Sequence, residues 1–583
     1  METNRSAKQR IIKESFVRLS LVNMAVLMIT NICGFINNVV ISRFLGTQEL
    51  AAVGFFSPVS VLTGIGFVII LGTTVVCGNL IGSGQHEKVN SLFTGSFTIL
   101  SIYGFIFGLV LILFRDPLSA LLGAQGEVRE MLKAYITGFA PGILFSTLTS
   151  YLLSLASFNN EIKRSYAASA AILCGNIIFD LLLVKPLGIF GIGLASSLSG
   201  LVAFLILMPG FIGKSRTFRF QKAAFDLPLE AEAARRGLPS LLFNGGMLVK
   251  NSLLNYMLLT YAGNDGIAVA NVLGSVCGIV GTFSGGFGNA YSTLASLFYG
   301  EDDRGGFMDL YRFSFRLGFL SLSLIVVLMA VFSAPLTGIF FKPGTEVWDL
   351  GRRMFLIGFW FFPPNYFFNL LLKSYQAQGK MMLMNVMSFV ETALTGVIAW
   401  AAVPSFGTDA AWLANLWSDI LSVLIVLVSV FTWKKKVSMA VPDLLKLPDD
   451  FGAGPDESAE YSLNSLDQVS AVSEAVTAFC KERNMDEKKS SWAGLCVEEM
   501  TSNIFEHGAS DGKQYQADVR IVCRNGLTIR IQDDCRKFDP RERMKMFNPE
   551  TPEKNIGLRM VAKLASYVDY YNIAGINSLI MKI

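Results

Sequence analysis

The stretch AILCGNIIFDLLLV, from Ala171 to Val184, decides how the surrounding chain is interpreted. It is apolar except for Asn176 and Asp180, which are four residues apart and therefore share one face of a helix. The residues around it are also apolar, which is typical of a membrane-spanning segment. A carboxylate inside a bilayer is costly unless it faces a cavity, an ion or a partner, so Asp180 is a candidate functional residue. The alternative is an Asp that only hydrogen-bonds a neighbouring helix.

The composition divides the chain into a membrane part and a soluble part. Of its 583 residues, 52% are hydrophobic and only 16% are charged, whereas soluble globular chains have about 25% charged residues. Long apolar runs fill residues 15–433, and residues 440–583 have an ordinary soluble composition. None of the eight cysteines is spaced C-x-x-C, and only two histidines are present, which argues against a zinc site or a disulfide framework. The net charge of +4 is small, and no nucleic-acid partner is predicted.

Twelve apolar windows are long enough to span a bilayer, which requires about 20 apolar residues. They lie near residues 15–40, 53–80, 92–114, 134–157, 167–186, 191–212, 238–262, 267–298, 314–341, 354–375, 384–403 and 411–433. If the N-terminus is cytoplasmic, the loops on that side hold 22 Lys and Arg residues against 8 on the other side. This bias predicts that both termini and the soluble tail lie in the cytoplasm.

The apolar part also contains an internal repeat. FRDPLSALLGAQGEVREMLKAYITGF from Phe114 is echoed by FSAPLTGIFFKPGTEVWDLGRRMFLIGF from Phe332. Two six-helix halves of one orientation favour two bundles around a central cavity, an arrangement whose usual use is alternating access. We therefore predict an N-terminal segment at 1–14, a first lobe at 15–213, an inter-lobe loop at 214–237, a second lobe at 238–433, a linker at 434–457 and a soluble domain at 458–583.

The membrane part resembles the multidrug and toxic compound extrusion (MATE) family of cation-coupled transporters. The resemblance rests on NNVVISRFLGTQELAAVGFFSP from Asn37 to Pro58, NIIFD in the fifth window, GIFGIGLASS entering the sixth and WSDILSVLIVL in the twelfth. It implies an all-α fold of two six-helix repeats that exports organic cations or drugs in exchange for H⁺ or Na⁺. The family's cation site corresponds to Asn176, Asp180 and Asn37. Asn37 stands where the family usually has Asp, and an amide cannot carry a proton.

Other polar residues of the predicted spans have competing interpretations. Glu391 occupies the equivalent place in the second half and is a candidate for ion or substrate binding, or else a packed and hydrogen-bonded acid. For the remaining polar residues the favoured interpretation is hydrogen bonding between helices; these are Asp419, Asn255, Asn289, Asn365 and Asn369.

The soluble tail reads as strand, helix, helix, hairpin, helix and two strands. This order resembles the histidine-kinase-like ATPase fold, a small α/β sandwich, and within it the anti-sigma-factor serine kinases, over residues 458–583. The resemblance rests on E-x-x-x-N at Glu499 and Asn503, on Asp533, on F-D-P at 538–540 and on Gly557-Leu558. Two departures are a Cys in place of the glycine after Asp533-Asp534, and the single Gly557 where several glycines are usual. Fewer glycines leave fewer backbone amides free to approach a phosphate.

The resemblance implies a role for each of these tail residues. Glu499 corresponds to a general base, Asn503 to an Mg²⁺ ligand and Asp533 to the acceptor of the adenine amino group. Asp539 and Gly557 correspond to the rest of the nucleotide site, so Mg-ATP is the implied cofactor. Whether such a domain hydrolyses ATP, only binds it, or serves to dock another protein stays open.

Three functions compete at this point. The first is a cation-coupled exporter with a regulatory nucleotide-binding domain in the cytoplasm. The second is a membrane-tethered serine/threonine kinase or partner-switching regulator that uses the spans as a sensor. The third is a flippase for lipid-linked saccharides. ATP-driven pumping is not expected, because the tail has no G-x-x-x-x-G-K-[ST] motif.

Overall fold

The computed structural model describes residues 4–583 except 45–51, 54–55, 57–58, 60–63, 123, 160, 213–216, 222–224, 436–439, 455, 508–514, 525, 536–538, 541–555 and 574–575. Long apolar helices occupy the chain up to Lys434, and a small sheet with packed helices follows from Ser458. An all-α membrane part joined to a small α/β domain is therefore confirmed.

The first lobe consists of helices that follow the apolar windows. They are α1 (Asn4–Phe44), α2 (Gly66–Gly82), α3 (His86–Leu113), α4 (Arg115–Leu121), α5 (Gly126–Phe139), α6 (Gly142–Leu155) and α7 (Ile162–Leu207). Helix α7 is broken at Gly188, which adopts a φ of 57° that side chains with a Cβ rarely tolerate. The break lets the chain turn back and form two successive helical segments.

The second lobe has the corresponding helices. They are α8 (Leu227–Gly300), α9 (Arg304–Val331), α10 (Ser333–Phe340), α11 (Glu346–Ile357), α12 (Phe362–Ala377), α13 (Met381–Phe406) and α14 (Asp409–Lys434). The repeat is visible in the geometry, because α5 and α6 meet at a bend of 49° and α11 and α12 at a bend of 48°. Both bends lie beside prolines, which remove a backbone hydrogen bond.

The described helices overlap all twelve apolar windows, with α8 broken at Gly263 as α7 is at Gly188. By length and composition alone, five described helices can cross a membrane, or seven if each bent pair counts as one span. The count of twelve spans therefore stays a prediction.

The tail is an antiparallel sheet with helices on one face. Its strands run in the order β1-β2-β3-β5-β4. They are β1 (Ser458–Leu463), β2 (Ala517–Val522), β3 (Thr528–Asp533), β4 (Tyr567–Ile573) and β5 (Ile576–Lys582). Helices α16 (Val469–Glu482), α17 (Glu487–His507) and α18 (Ile556–Leu564) share a hydrophobic core with the sheet. The opposite face of the sheet lies against the membrane helices.

Residues 440–454 connect the two parts and pack against the membrane helices, beginning with the short helix α15 (Val441–Leu444). The Tyr375 hydroxyl donates to the carbonyl of Leu444 at 2.6 Å, and the ring of Phe451 stacks on that of Tyr299 with centroids 4.8 Å apart. This part of the predicted linker, although rich in Pro, Gly and Asp, is therefore held against the membrane helices by specific contacts. Such a composition favours turns, but it does not report which contacts the turns make.

Candidate functional site

Asp180 is fully buried in the first lobe, on α7. It is 0% exposed, and neither of its carboxylate oxygens has a hydrogen-bond partner among the described residues. Asn176 lies one turn earlier and donates its amide to the hydroxyl of Ser196 at 3.2 Å. Asn37 belongs to α1, but its side chain lies outside the described part of the chain. Among the described residues, the Asp180 carboxylate therefore has no hydrogen-bond donor that would stabilise its charge.

The second lobe holds two buried acids that are bridged by one amide. The Asn365 amide nitrogen, on α12, donates to Glu391 Oε1 at 2.6 Å and to Asp419 Oδ1 at 3.1 Å. Glu391 is 5% exposed and Asp419 is 3% exposed. The second oxygen of each carboxyl group has no hydrogen-bond partner in the described part of the chain. The structure thus unites Glu391 with Asp419, a residue for which simple bonding between helices was the favoured interpretation.

Two further side chains define the charge and orientation of this cluster. Asn369 donates to the Asn365 side-chain oxygen at 2.9 Å. The Asn365 nitrogen consequently faces the two acids, since the network fixes which way the amide points. The ammonium group of Lys250, on α8, interacts electrostatically with both carboxyl groups. The cluster therefore contains two acids and one base.

A cavity of about 500 Å³ lies between the two lobes. The first lobe contributes residues of α1, α2, α6 and α7, among them Asn176. The second lobe contributes Asn289, Lys373 and Gln376 from α8 and α12. Cavities of this size hold drug-sized ligands. Asn176 belongs to the lining and Asp180 does not, so the buried acid lies one helical turn along α7 from a residue of the cavity wall.

The tail brings together three of the residues predicted to form a nucleotide site. The Asn503 amide donates to Glu499 Oε1 at 2.8 Å. A Cβ added to Gly557 would lie 1.9 Å from the carboxyl carbon of Glu499, so any larger residue there would displace that carboxyl group. Asp533 Oδ1 accepts hydrogen bonds from the Cys535 backbone at 2.9 Å and from Asn577 at 2.7 Å.

The same site has the residue types that a magnesium nucleotide requires. Because the Asn503 nitrogen is used by Glu499, its side-chain oxygen is left as the hard ligand that Mg²⁺ prefers. Burial raises the pKa of Asp533 to about 6, although its hydrogen bonds lower it. Asp539 is described, whereas residues 541–555 are not. In the described residues no group of three His, Cys, Asp or Glu side chains is placed to hold a metal ion.

The polar face of the tail sheet binds an acidic loop of the second lobe, which joins α8 to α9. Arg530 forms an ion pair with Glu301 at 3.0 Å, and the Tyr571 hydroxyl donates to the same carboxylate. Asp303 lies 2.8 Å from the ammonium nitrogen of Lys8 and 3.8 Å from the Arg520 guanidinium. Burial alone would raise the pKa of Asp303, but these two cations outweigh it and hold the pKa well below its usual range.

The same face also contacts the first lobe, at the loop that joins α2 to α3. The Tyr567 hydroxyl donates to the carbonyl of Gly84 at 2.6 Å, and Arg530 reaches the carbonyl of Gly82 at 3.4 Å. Close to this point, a Cβ added to Gly300 would lie 2.1 Å from the carbonyl oxygen of Asn79. The ends of α2 and α8 therefore touch through their backbones, and the tail covers the junction of the two lobes.

Comparison with known proteins identifies the membrane part. The MatE family model matches residues 24–184 and 239–400, which together are more than half of the chain. The chain belongs to the MatE family. Its two matched segments fall in the two lobes, in agreement with the internal repeat, and a MatE protein is a multi-pass protein of the cell membrane. A second model, described as a histidine kinase-like ATPase domain, matches residues 463–583.

Two relatives and one solved structure are also similar to this MatE chain. The Multidrug export protein MepA of Staphylococcus aureus (strain bovine RF122 / ET3-1) is 27% identical over 265 residues, which are 44% of this chain and 57% of MepA. The chain thus spans little more than half the length of that relative. The Probable multidrug resistance protein YoeA of Bacillus subtilis (strain 168) is 21% identical over 380 residues, 62% of this chain and 81% of YoeA. A MOP superfamily transporter from Pyrococcus furiosus Vc1 (DSM3638) shares the fold, with a TM-score of 0.67 at 19% identity over 74% of this chain and 96% of that one.

Sequence reasoning missed two lysines and the interface of the tail. Lys250 and Lys373 are cations inside predicted spans; the second was counted with the cytoplasmic loops, whereas the structure places it within α12. Residues 301–303, Glu-Asp-Asp, form an acidic loop, and the tail hairpin carries Arg520 and Arg530. These opposite charges were a signal that could have predicted the docking.

Proposed function

We propose that this protein is a cation-coupled exporter of small amphipathic molecules that works by alternating access between its two lobes. The observation that carries the proposal is the buried Asp180, which has no hydrogen-bond partner among the described residues and lies one helical turn along α7 from Asn176 of the cavity wall. An acid in such a place must be neutralised by a proton or a metal cation, because an isolated charge in a bilayer costs several kcal/mol. Membership of the MatE family supports the same mechanism.

Each lobe contributes one coupling site in this proposal. In the first lobe Asp180 takes up H⁺ or Na⁺, with Asn176 and Asn37 as neutral oxygen ligands. In the second lobe Glu391 acts together with Asp419. With Lys250 protonated, this cluster is neutral only when one of its two acids binds a proton or a monovalent cation, and a low-dielectric interior favours that neutral state.

Export of drugs or organic cations is the finer activity that the resemblance and the names of the relatives suggest for this chain. The size of the cavity, about 500 Å³, agrees with a ligand of drug size.

Regulation by the tail is the second element of the proposal. The sheet contacts the α2–α3 loop of the first lobe and the α8–α9 loop of the second. A change in the tail would therefore alter how far the lobes can move relative to each other. Mg-ATP is the proposed effector, with Asn503 as the Mg²⁺ ligand, Asp533 on the adenine, and Asp539 and Gly557 lining the rest of the site.

A signalling role is the second candidate, and one observation favours it. The Asn503 amide bonds the Glu499 carboxylate, which places a candidate general base beside the candidate metal ligand. The full chain is incubated with Mg-ATP and candidate protein partners. Phosphorylation of a partner that Glu499→Ala abolishes supports this role for the tail, and its absence leaves nucleotide binding alone.

Transport is tested with the full chain reconstituted in proteoliposomes that contain an amphipathic dye. A pH gradient and a Na⁺ gradient are imposed in turn, and each is then collapsed with a matching ionophore. Dye movement that needs one gradient and stops when it collapses is the expected result and identifies the coupling ion. Movement that needs neither gradient contradicts the proposal.

A further inference from the structure

We propose that the cavity between the lobes selects amphipathic anions, and that Lys373 binds their acidic group. The inference rests on the proposed export function and specifies its substrate class. It departs from the organic cations that the family resemblance implies.

The charge of the cavity wall is the first observation. Among the described residues that line the cavity, Lys373 is the one ionisable side chain, and the others are apolar, hydroxyl or amide side chains. Between residues 30 and 63, where most side chains lie outside the described part, the sequence contains a single acid, Glu49. The lining thus offers a positive charge, and its described part offers no carboxylate to attract a cation.

The surroundings of Lys373 are the second observation. It lies on α12 four residues before that helix ends at Ala377, and the described residues give it neither a hydrogen bond nor an ion pair. Lys250, which lies on α8, interacts electrostatically with Glu391 and Asp419. A positive charge within a membrane domain is costly when it has no counter-charge. A bound anion would supply the counter-charge that Lys373 lacks.

The rest of the wall suits a molecule with one acidic end and an apolar body. Apolar residues such as Leu19, Ile70 and Leu153 form much of the surface. Hydroxyl groups lie between them, and that of Ser169 is buried without a partner among the described residues. A carboxylate, sulfonate or phosphate near Lys373 would accept its N–H donors. An organic cation of the same shape would meet a like charge.

The test uses two dyes that share a xanthene scaffold but differ in charge, fluorescein as the anion and rhodamine 123 as the cation. Binding of each to the full chain in nanodiscs is measured by fluorescence anisotropy. We expect the wild type to bind fluorescein roughly tenfold or more tightly than rhodamine 123, as a close charge pair of low exposure allows. Lys373→Arg should retain this preference, Lys373→Gln should remove it and Lys373→Glu should reverse it.

A matched control separates a local charge from the net charge of the protein. Lys13→Gln removes one positive charge from an exposed position of α1 that does not line the cavity, and it should keep the preference for fluorescein. Equal preferences in the wild type and in Lys373→Gln, or tighter binding of rhodamine 123 by the wild type, overturn the proposal. This binding assay is independent of the gradient assay. A cavity that prefers cations leaves export standing, and dye movement without any gradient contradicts export whatever the binding preference.

Discussion

The two lobes repeat each other in shape but hold their buried acids differently. In the first lobe Asp180 has no hydrogen-bond partner among the described residues. In the second lobe Glu391 and Asp419 share the Asn365 amide and face Lys250. The bends of 49° and 48° show that the helical framework is retained. Apolar patterning therefore fixes the helical framework, whereas single polar residues set the chemistry inside each lobe.

The tail also makes different contacts with the two lobes. It meets the second lobe through the charged loop 301–304. It meets the first lobe through the backbone carbonyls of Gly82 and Gly84 and through an ion pair of 2.6 Å between Lys8 and Glu460. Gly82 and Gly300 occupy the same place in the repeat, so the two loops are equivalent. The buried ion pairs of Arg520 and Arg530 therefore join the tail to the second lobe, whereas on the first lobe one ion pair stands beside hydrogen bonds to backbone carbonyls.

The largest expected effect is the loss of coupled efflux when the buried Asp180 of the first lobe is neutralised. Asp180→Asn should reduce gradient-driven dye efflux to the level of empty vesicles, because the amide has nearly the same shape but cannot take up a proton or carry a charge. Efflux from proteoliposomes is the measurement, with size-exclusion profiles to show that the variant folds. Normal efflux by a folded Asp180→Asn protein would refute its coupling role.

The next effect concerns the anchor on the second lobe. Asp303→Asn should weaken docking of the tail by about 3–5 kcal/mol, the usual consequence of removing one partner from a buried ion pair. The amide can still cap α9, where Asp303 accepts a hydrogen bond from the Gly306 backbone at 2.9 Å. Limited proteolysis of residues 440–454 should become much faster. An unchanged cleavage rate would show that the ion pair of Asp303 with Arg520 does not hold the tail.

The pKa of Asp303 gives this anchor a predictable dependence on pH. Its pKa lies well below the usual range in the docked state, so its contribution is fully present above the ordinary Asp pKa of about 3.9 and is lost only as the pH falls through the lower docked value. Cleavage of the wild type at residues 440–454 should therefore not accelerate, on account of Asp303, between about pH 5 and pH 8. Acceleration in that range that Asp303→Asn abolishes would contradict the assignment.

A smaller effect is expected from the acids of the second lobe. Glu391→Gln should lower efflux by roughly tenfold, about 1.4 kcal/mol, because Asp419 remains and can still pair with Lys250. The double variant with Asp419→Asn removes both acids and should lower efflux further, towards the level of Asp180→Asn. Equal rates in the single variant, the double variant and the wild type would mean that this cluster only holds helices together.

The smallest effect is expected where the tail meets the first lobe. Tyr567→Phe removes one neutral hydrogen bond to the Gly84 carbonyl and should weaken docking by about 1 kcal/mol. The same proteolysis assay measures it beside Asp303→Asn. A larger effect for Tyr567→Phe than for Asp303→Asn would reverse the proposed order of the two contacts.

Much of the fold could be predicted from the sequence. Long apolar runs indicate membrane-spanning helices, and alternating apolar and polar residues indicate strands with one buried face. The spacing of Glu499 and Asn503 likewise predicted a shared helical face, and the structure joins their side chains. The pairing of Glu391 with Asp419 could not be predicted, because it depends on how two separate helices are rotated against each other. The burial of the polar face of strand β2 was also not predictable from the sequence. Its alternating residues indicate one polar face, but the acidic loop covers that face, so Arg520 is buried at 6% exposure.

The burial of this face of the sheet against the membrane part has a consequence for expressing the tail as a separate protein. Tyr571, Ile573 and Ile580 belong to the hydrophobic core of the membrane part. A separately expressed tail would expose these side chains to water beside Arg520 and Arg530, so that its surface would be both apolar and charged. It should self-associate or need a substitute partner to stay in solution. In this protein the boundary at which the chain changes from membrane to soluble composition is therefore not a boundary at which it can be cut.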